Sequence, residues 1–237
     1  MPTAEDTQPQ RIGKPARLVD ALPDLQSLAA VDWEARDAAV AAERARLEAE
    51  AETKRLAEIC RDLADRGAPV DDVERVMSGA LEDTEALRVV RSAHEAGAKL
   101  TALSGPPGIG KTTAACWWLV HARPVATLVR VRPALFVRAG QFARWARFDE
   151  ERMRDLERAR ALVLDDLGVE FDDTKGAVRS LLDEVVDARY AASLPTLLTT
   201  NLSGPAFKER YHERIADRVR GAGGFIALRG ESMRARR

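Results

Sequence analysis

Cysteine is nearly missing from this chain: Cys60 and Cys116 are the only two among 237 residues. Two cysteines cannot build a disulfide framework, and no Cys/His grouping has zinc-ligand spacing, so the expectation is a reducing cytoplasm and no structural metal. A membrane-length apolar run is also lacking, because the longest candidate, 114–129, is interrupted by His121, Arg123 and Pro124. The first fourteen residues are polar and lack the apolar centre of a signal peptide. No internal repeat of roughly 20 to 50 residues is visible, which excludes a solenoid. Net charge is almost absent, at −1. That balance conceals an asymmetry: residues 1–90 carry 12 Lys and Arg against 20 Asp and Glu, and the remainder carries 25 against 18. A basic half is a footprint of polyanion binding, here nucleic acid, although scattered surface arginines give the same count. Hydrophobic residues make up 46% of the chain, enough for a full domain with an appendage and too many for disorder throughout.

Three regions follow along the chain. Residues 1–24 mix Pro2, Pro9, Pro15 and Pro23 with polar residues and read as a flexible arm. Residues 25–80 read as a helical N-terminal partner-binding region. Its main element is one long helix from the N-cap Asp32 to Arg66, rich in Ala, Glu, Arg and Leu and stopped by Gly67 and Pro69. Its large apolar residues recur as Trp33, Val40 and Leu47, then change register to Leu56, Ile59 and Leu63. Such a stripe docks on a partner, pairs with itself or packs against the rest of the chain. A short helix capped by Asp71 or Asp72 runs to Met77, and another capped by Asp83 runs to Glu95, before Gly97. In the third region, 81–237, apolar segments alternate with helical ones: 100–104, a helix from 112, 127–131 or 135–138, a helix 139–147, 161–164, a helix 178–191, and 196–200. That alternation predicts an α/β fold with a mainly parallel sheet covered on both faces, and a ligand at the carboxyl ends of its strands.

Chemistry concentrates at three places in this region. Gly105-Pro106-Pro107-Gly108-Ile109-Gly110-Lys111-Thr112 sits between an apolar run and a helix start. Its glycines let consecutive N–H groups turn inward on a phosphate; Lys111 reaches the β- and γ-phosphates and the Thr112 hydroxyl meets Mg²⁺. Thr113 completes the helix start. The run 161–166 is an apolar strand ending in Asp165 and Asp166: Asp165 is placed to hold the metal's shell and Asp166 to polarise a water. The run 195–201 ends in Asn201, which can sense the γ-phosphate and the lytic water or simply turn the chain. Together these predict binding of ATP with Mg²⁺.

On these stretches, and on Leu181-Leu182-Asp183 through Arg189-Tyr190, Arg214-Ile215-Ala216-Asp217-Arg218 and Gly230-Glu231-Ser232-Met233-Arg234, residues 103–237 resemble the AAA+ P-loop ATPase module of the DnaC helicase loaders and the similar IstB transposition helpers. The resemblance implies that Arg218, or Arg214 one turn earlier, enters a neighbouring subunit's site in a ring or spiral. It also implies that Arg234 contacts nucleotide. In that family a helix after the first ATPase helix touches single-stranded DNA. Here the segment 136–148 interleaves aromatics with arginines, so Arg138, Phe142, Arg144 and Trp145 are the candidate contacts, with Phe142 and Trp145 equally placed to face a core. No sequence-reading element such as a helix-turn-helix is apparent, so binding should be salt-dependent and indifferent to base sequence.

The expected function is that of an ATP-dependent DNA-replication accessory protein: a slow, assembly- or DNA-stimulated ATPase that binds single-stranded DNA and delivers a replicative ring helicase gripped by its N-terminal helices. The alternatives are a transposition helper acting on duplex DNA with a transposase, and an ATP-switched scaffold with little turnover.

Overall fold

The computed structural model describes residues 32–122, 133–169, 176–230 and 232–233. The expected arm 1–24, the strand alternative 127–131 and Arg234 lie outside these residues. The chain divides into two compact units, the first ending at Glu52 and the second running from Thr53 to Arg237.

What is described of the first unit is one amphipathic helix segment. Helix α1 (Trp33–Asp65) starts where the Asp32 carboxylate accepts from the Ala35 N–H at 2.9 Å, an N-cap that satisfies an otherwise orphaned donor. Up to Glu52 its surface is charged and its i,i+4 ion pairs, such as Arg44–Glu48, are exposed. Trp33, Val40 and Leu47, the first half of the stripe, are each at least half exposed.

The second half of that stripe behaves differently, within the second unit. Leu63 and Cys60 are fully buried, and Leu56 and Ile59 pack beside them. The register change noted in the sequence therefore separates exposed apolar residues from core residues. Residues 53–80, which the sequence grouped with the N-terminal region, thus share a compact unit with the sheet.

After Gly67 come α2 (Val70–Ser78) and α3 (Glu85–Glu95). Neither is capped by the expected aspartates. Pro69 occupies the N-cap position of α2, leaving Asp71 and Asp72 in the first turn, where carboxylates favour the helix dipole. Thr84 caps α3 by accepting from Leu87 N–H, while Asp83 pairs with Arg88.

The sheet is built from β1 (Leu100–Ser104), β2 (Ala134–Arg138), β3 (Ala161–Leu167), β4 (Thr196–Thr200) and β5 (Gly223–Ala227), in spatial order β2-β3-β4-β1-β5 and parallel throughout. Helices α4 (Lys111–His121), α5 (Ala139–Phe148), α6 (Glu150–Arg158), α7 (Ala177–Ala191) and α8 (Gly204–Ala222) complete the eight helices among the described residues. Because side chains alternate across a strand, each buried strand feeds two cores. Leu103, Ala161, Val163 and Leu197 join Cys60, Val73, Val90 and the apolar residues of α4 on one face. Ala102, Leu162, Leu164 and Leu198 join Phe142, Leu156, Leu182, Val186 and Ile215 on the other.

Two elements go beyond the expected order. Helix α6 is short and highly charged, with only Met153 and Leu156 buried, and its cap is Asp149, which accepts from Arg152 N–H. Strand β5 begins with two glycines. A Cβ on Gly223 would stand 2.6 Å from the Leu100 carbonyl oxygen, so only glycine lets β5 lie this close to β1. Strand β3 continues through both Asp165 and Asp166 to Leu167, with a bulge between Leu164 and Leu167. Among the described residues no helix is long and apolar enough to cross a membrane.

Candidate functional site

The site forms where β1, β3 and β4 end. Beyond β1 the chain turns through Gly105, Gly108 and Gly110, all with positive φ, into the first turn of α4. The turn is tight on its C-terminal side: a Cβ on Gly108 would stand 2.1 Å from Ser232 Oγ, and Met233 N–H donates to the Gly108 carbonyl. Ile109 is buried beneath the turn and anchors it to the core. The loop thus exposes its amides at a helix N-terminus, the arrangement that binds phosphate.

Lys111 is only 5% exposed, and its ammonium donates to three neutral oxygens, the carbonyls of Gly105 and Pro106 and Asn201 Oδ1, at 2.7 to 2.8 Å. It joins the end of β1 to the end of β4. An ammonium held at the mouth of the phosphate loop is a ready partner for a polyanion.

Asp165 is 2% exposed. The Thr199 hydroxyl donates to its Oδ1 at 2.6 Å and accepts from Asp166 N–H at 2.9 Å, so one threonine fixes both acidic residues. The Thr112 hydroxyl lies 3.3 Å from each carboxylate oxygen. Burial pushes the Asp165 carboxyl up from 3.8 to about 6; the Thr199 bond opposes the rise and the charge of Asp166 adds to it. Thr112 and Asp165 present hard oxygens, the donor chemistry that suits Mg²⁺. Among the described residues no group of three or more His, Cys, Asp or Glu could hold a metal ion. Asp166, within the bulge, takes φ 59 and lines the cleft.

That cleft has a volume of about 720 Å³. Lys111, Thr112, Asp166 and Asn201 line one part of it, and Asp71, Asp72, Leu81, Thr84 and Met233 line another. The Thr113 hydroxyl donates to Asp72 Oδ1 at 2.5 Å. Beneath them, burial pushes the Cys116 thiol well up, and the charges of Asp72 and Asp165 add to the effect.

Five of the expected site residues, Lys111, Thr112, Asp165, Asp166 and Asn201, therefore meet in one place. The arginines do not. Arg218 forms ion pairs with Asp183 at 2.8 Å and with Asp187, both on α7, and its side chain is 15% exposed. Arg214 pairs with Asp183 at 3.3 Å but stays 68% exposed. Neither lines the cleft of its own chain.

The segment around α5 needs one correction. Phe142 is 1% exposed and packs in the core between α5 and the sheet, so it offers no ring face to a base. Trp145 is half buried against the same core, with the Arg152 guanidinium 5.7 Å from its ring centroid. Arg138 and Arg144 are exposed, as is Phe148, at 86%. Arg138 also stands opposite Asp165 in the β2–β3 register, and its charge lowers the Asp165 pKa.

Thr199 and Asp72 were missed in the sequence. Thr199 could have been found, since it stands two residues before Asn201 on the same strand end; Asp72 lies 41 residues from its partner and carries no local signal. Arg189 was likewise unassigned. It is buried, donates to the carbonyls of Leu156, Ala159 and Pro195 and to Thr196 Oγ1, and is lowered to about 9 by burial.

Comparison with known proteins bears on the same residues. The family model described as IstB-like ATP binding protein matches residues 80–237. The replicative helicase loader DnaC of Escherichia coli (strain K12) is 26% identical over 137 residues, which cover 56% of this chain and 55% of that protein. The DnaC of Buchnera aphidicola subsp. Acyrthosiphon pisum (strain APS) is 27% identical over 122 residues, 49% of this chain and 48% of that protein. The chain thus spans about half the length of the curated relatives it matches. Among solved structures, the replication initiator DnaA bound to AMPPCP and single-stranded DNA superposes with a TM-score of 0.50 at 18% identity, over 64% of this chain and 48% of that one, and shares its fold. The family match alone takes in well over half of the sequence: the chain belongs to the IstB-like ATP binding proteins and is built on the AAA+ P-loop fold.

Proposed function

We propose that the chain is a cytoplasmic, ATP-dependent DNA-replication accessory protein that acts as a helicase loader. The observation that carries this is the convergence of Lys111, Thr112, Asp165, Asp166 and Asn201 at the ends of three adjacent parallel strands. The loop amides and Lys111 would bind the β- and γ-phosphates of ATP, with Thr113 at the following helix turn. Thr112 and Asp165 would hold Mg²⁺, which when bound neutralises charge developing on the transferred phosphoryl group. Asp166 is the group to orient and deprotonate the attacking water. Asn201, whose Oδ1 accepts from Lys111, would turn its Nδ2 amide donors to the γ-phosphate and so report which nucleotide is present. Arg218 or Arg214, brought by a neighbouring subunit of a ring or spiral, would offer a guanidinium fork to the γ-phosphate, making hydrolysis depend on assembly. Arg234 would add a second arginine contact.

The relatives named as replicative helicase loaders support a ring helicase as the partner. The helix face of Trp33, Val40 and Leu47, exposed in the first unit, is the surface proposed to grip it. Single-stranded DNA would follow Arg138 and Arg144 with Trp145 and the exposed Phe148. The family description supports a second reading, a transposition helper that acts on duplex DNA with a transposase.

Titration with Mg²⁺ and AMPPCP tests the core of the proposal: micromolar binding in the parent and none in Lys111→Ala are expected, and equal affinity in both refutes it. Capture from host extract on the full chain separates the partners, a replicative helicase supporting the loader and a transposase the second reading.

A further inference from the structure

The family match begins at residue 80, yet the cleft has a wall upstream of it: Asp71, Asp72 and Arg75 of α2 line it together with the phosphate-loop residues. This wall is fastened to the nucleotide-binding helix at one point. Thr113, next to the proposed metal ligand Thr112, donates its hydroxyl to Asp72 Oδ1, and the same oxygen is 3.5 Å from the Arg75 guanidinium. The Asp72 side chain is only 17% exposed, so the bond is shielded from competing water. Leu81, Thr84 and Leu87 continue the wall toward α3, and Thr84 Oγ1 reaches within 3.2 Å of where a Gly110 Cβ would stand.

We propose that α2 is a nucleotide-contacting wall and that Asp72 is its positioning residue, locking α2 onto the first turn of α4 through Thr113 and holding Arg75 toward the cleft. A nucleotide bound by the loop then meets a preformed wall rather than a mobile segment, and binding that tightens α4 is felt directly by α2. The inference rests on the ATP-binding reading above and adds a residue from outside the family-matched region to the same site. Asp72 acts through Thr113 and Arg75, and no role in the chemical step is assigned to it.

The test is isothermal titration of Mg²⁺·AMPPCP into the full chain and into Thr113→Val, Asp72→Asn, Asp72→Ala and the Thr113→Val/Asp72→Ala double variant. Thr113→Val and Asp72→Ala should each weaken binding about tenfold, equivalent to about 1.4 kcal/mol, and the double variant no more than either single one. Asp72→Asn keeps an acceptor for Thr113 and should lose less. Parental affinity in Thr113→Val, or a double variant showing the product of two single losses, overturns the proposal. Thr113→Val preserves shape and removes one hydroxyl, so it decides the matter even if Asp72→Ala loosens α2. Hydrogen exchange supplies a readout that mere loss of stability would not give: nucleotide should slow exchange across residues 70–78 in the parent and not in Thr113→Val, and equal slowing in both overturns the lock. A parent that binds no AMPPCP refutes the ATP-binding reading itself, and this inference with it. A parent that binds, with Lys111→Ala silent and Thr113→Val unchanged, refutes this inference alone.

Discussion

Replacing Asp165 by asparagine should make the nucleotide-free protein more stable at neutral pH while removing the carboxylate proposed to hold Mg²⁺. The carboxyl is raised from 3.8 to about 6 in the fold, chiefly by burial. Well above pH 6 it is ionised in both the folded and the unfolded chain, and folding must bury the charge. The penalty is about 2 pH units at 1.36 kcal/mol each, or about 3 kcal/mol. As pH falls through 6 the folded state takes up a proton before the unfolded state does, so the penalty shrinks; below about pH 4 both states are protonated and it vanishes. Asparagine carries no charge at any of these pH values. Its advantage should be fully present above about pH 7, half gone by about pH 5 and nearly absent at about pH 4. The local geometry accommodates the amide: its oxygen can accept from Thr199, and its NH₂ can face Thr112 Oγ1, now 3.3 Å from the carboxylate. Urea unfolding of parent and Asp165→Asn between pH 4 and 8, with EDTA present, measures the difference directly. A variant that is less stable than the parent at pH 8, or an advantage that does not decline toward pH 4, would refute the assignment of Asp165 as a buried, desolvated carboxylate. In the same variant, Mg²⁺-dependent ATP hydrolysis should be lost.

The other predictions concern residues whose roles the structure separates. Phe142→Ala should lower stability by about 3 to 5 kcal/mol, as for any large core truncation, whereas Phe148→Ala should change it by no more than about 0.5 kcal/mol and weaken single-stranded DNA binding in a fluorescence anisotropy titration. Arg189→Met should lower stability by at least about 3 kcal/mol in thermal unfolding, because it leaves the carbonyls of Leu156, Ala159 and Pro195 buried without their donor. Arg218→Ala should lower Tm by removing a largely buried partner of Asp183 and Asp187, while Arg214→Ala, whose exposed pair contributes at most about 1 kcal/mol, should leave Tm unchanged. ATP turnover in mixed assemblies then reads which arginine acts between subunits: the inactive arginine variant should be rescued by Asp166→Ala subunits.

The phosphate loop was legible because its chemistry is local. Seven consecutive residues carry Gly105, Gly108, Gly110 and Lys111 at fixed spacing, and no distant contact is needed to recognise it. The strands that carry Asp165 and lead into Asn201 were legible for a related reason, since continuous apolar runs that give way to polar residues mark buried parallel strands. What the sequence hid depended on packing. Phe142 and Phe148 lie six residues apart on one helix; one fills the core and the other meets water, and composition does not distinguish them. The α6 helix carries too few apolar residues for its periodicity to stand out, and the glycines of β5 weaken a strand signal while making the strand's close approach possible. Thr84, one residue after the aspartate chosen as a cap, shows how closely spaced hydroxyl and carboxylate candidates compete for the same orphan N–H.

The burial of Cys60, Leu63, Ala68 and Val73 beneath α4 has a practical bearing on where this chain may be cut. A fragment trimmed to the span of the family model, from residue 80 onward, would lose these four plugs and bare the underside of the helix that follows the phosphate loop. One trimmed at residue 53 keeps them. Biochemistry on the shorter fragment would then describe a wounded fold, and any loss of nucleotide affinity there would speak of exposed hydrophobic surface rather than of a missing partner.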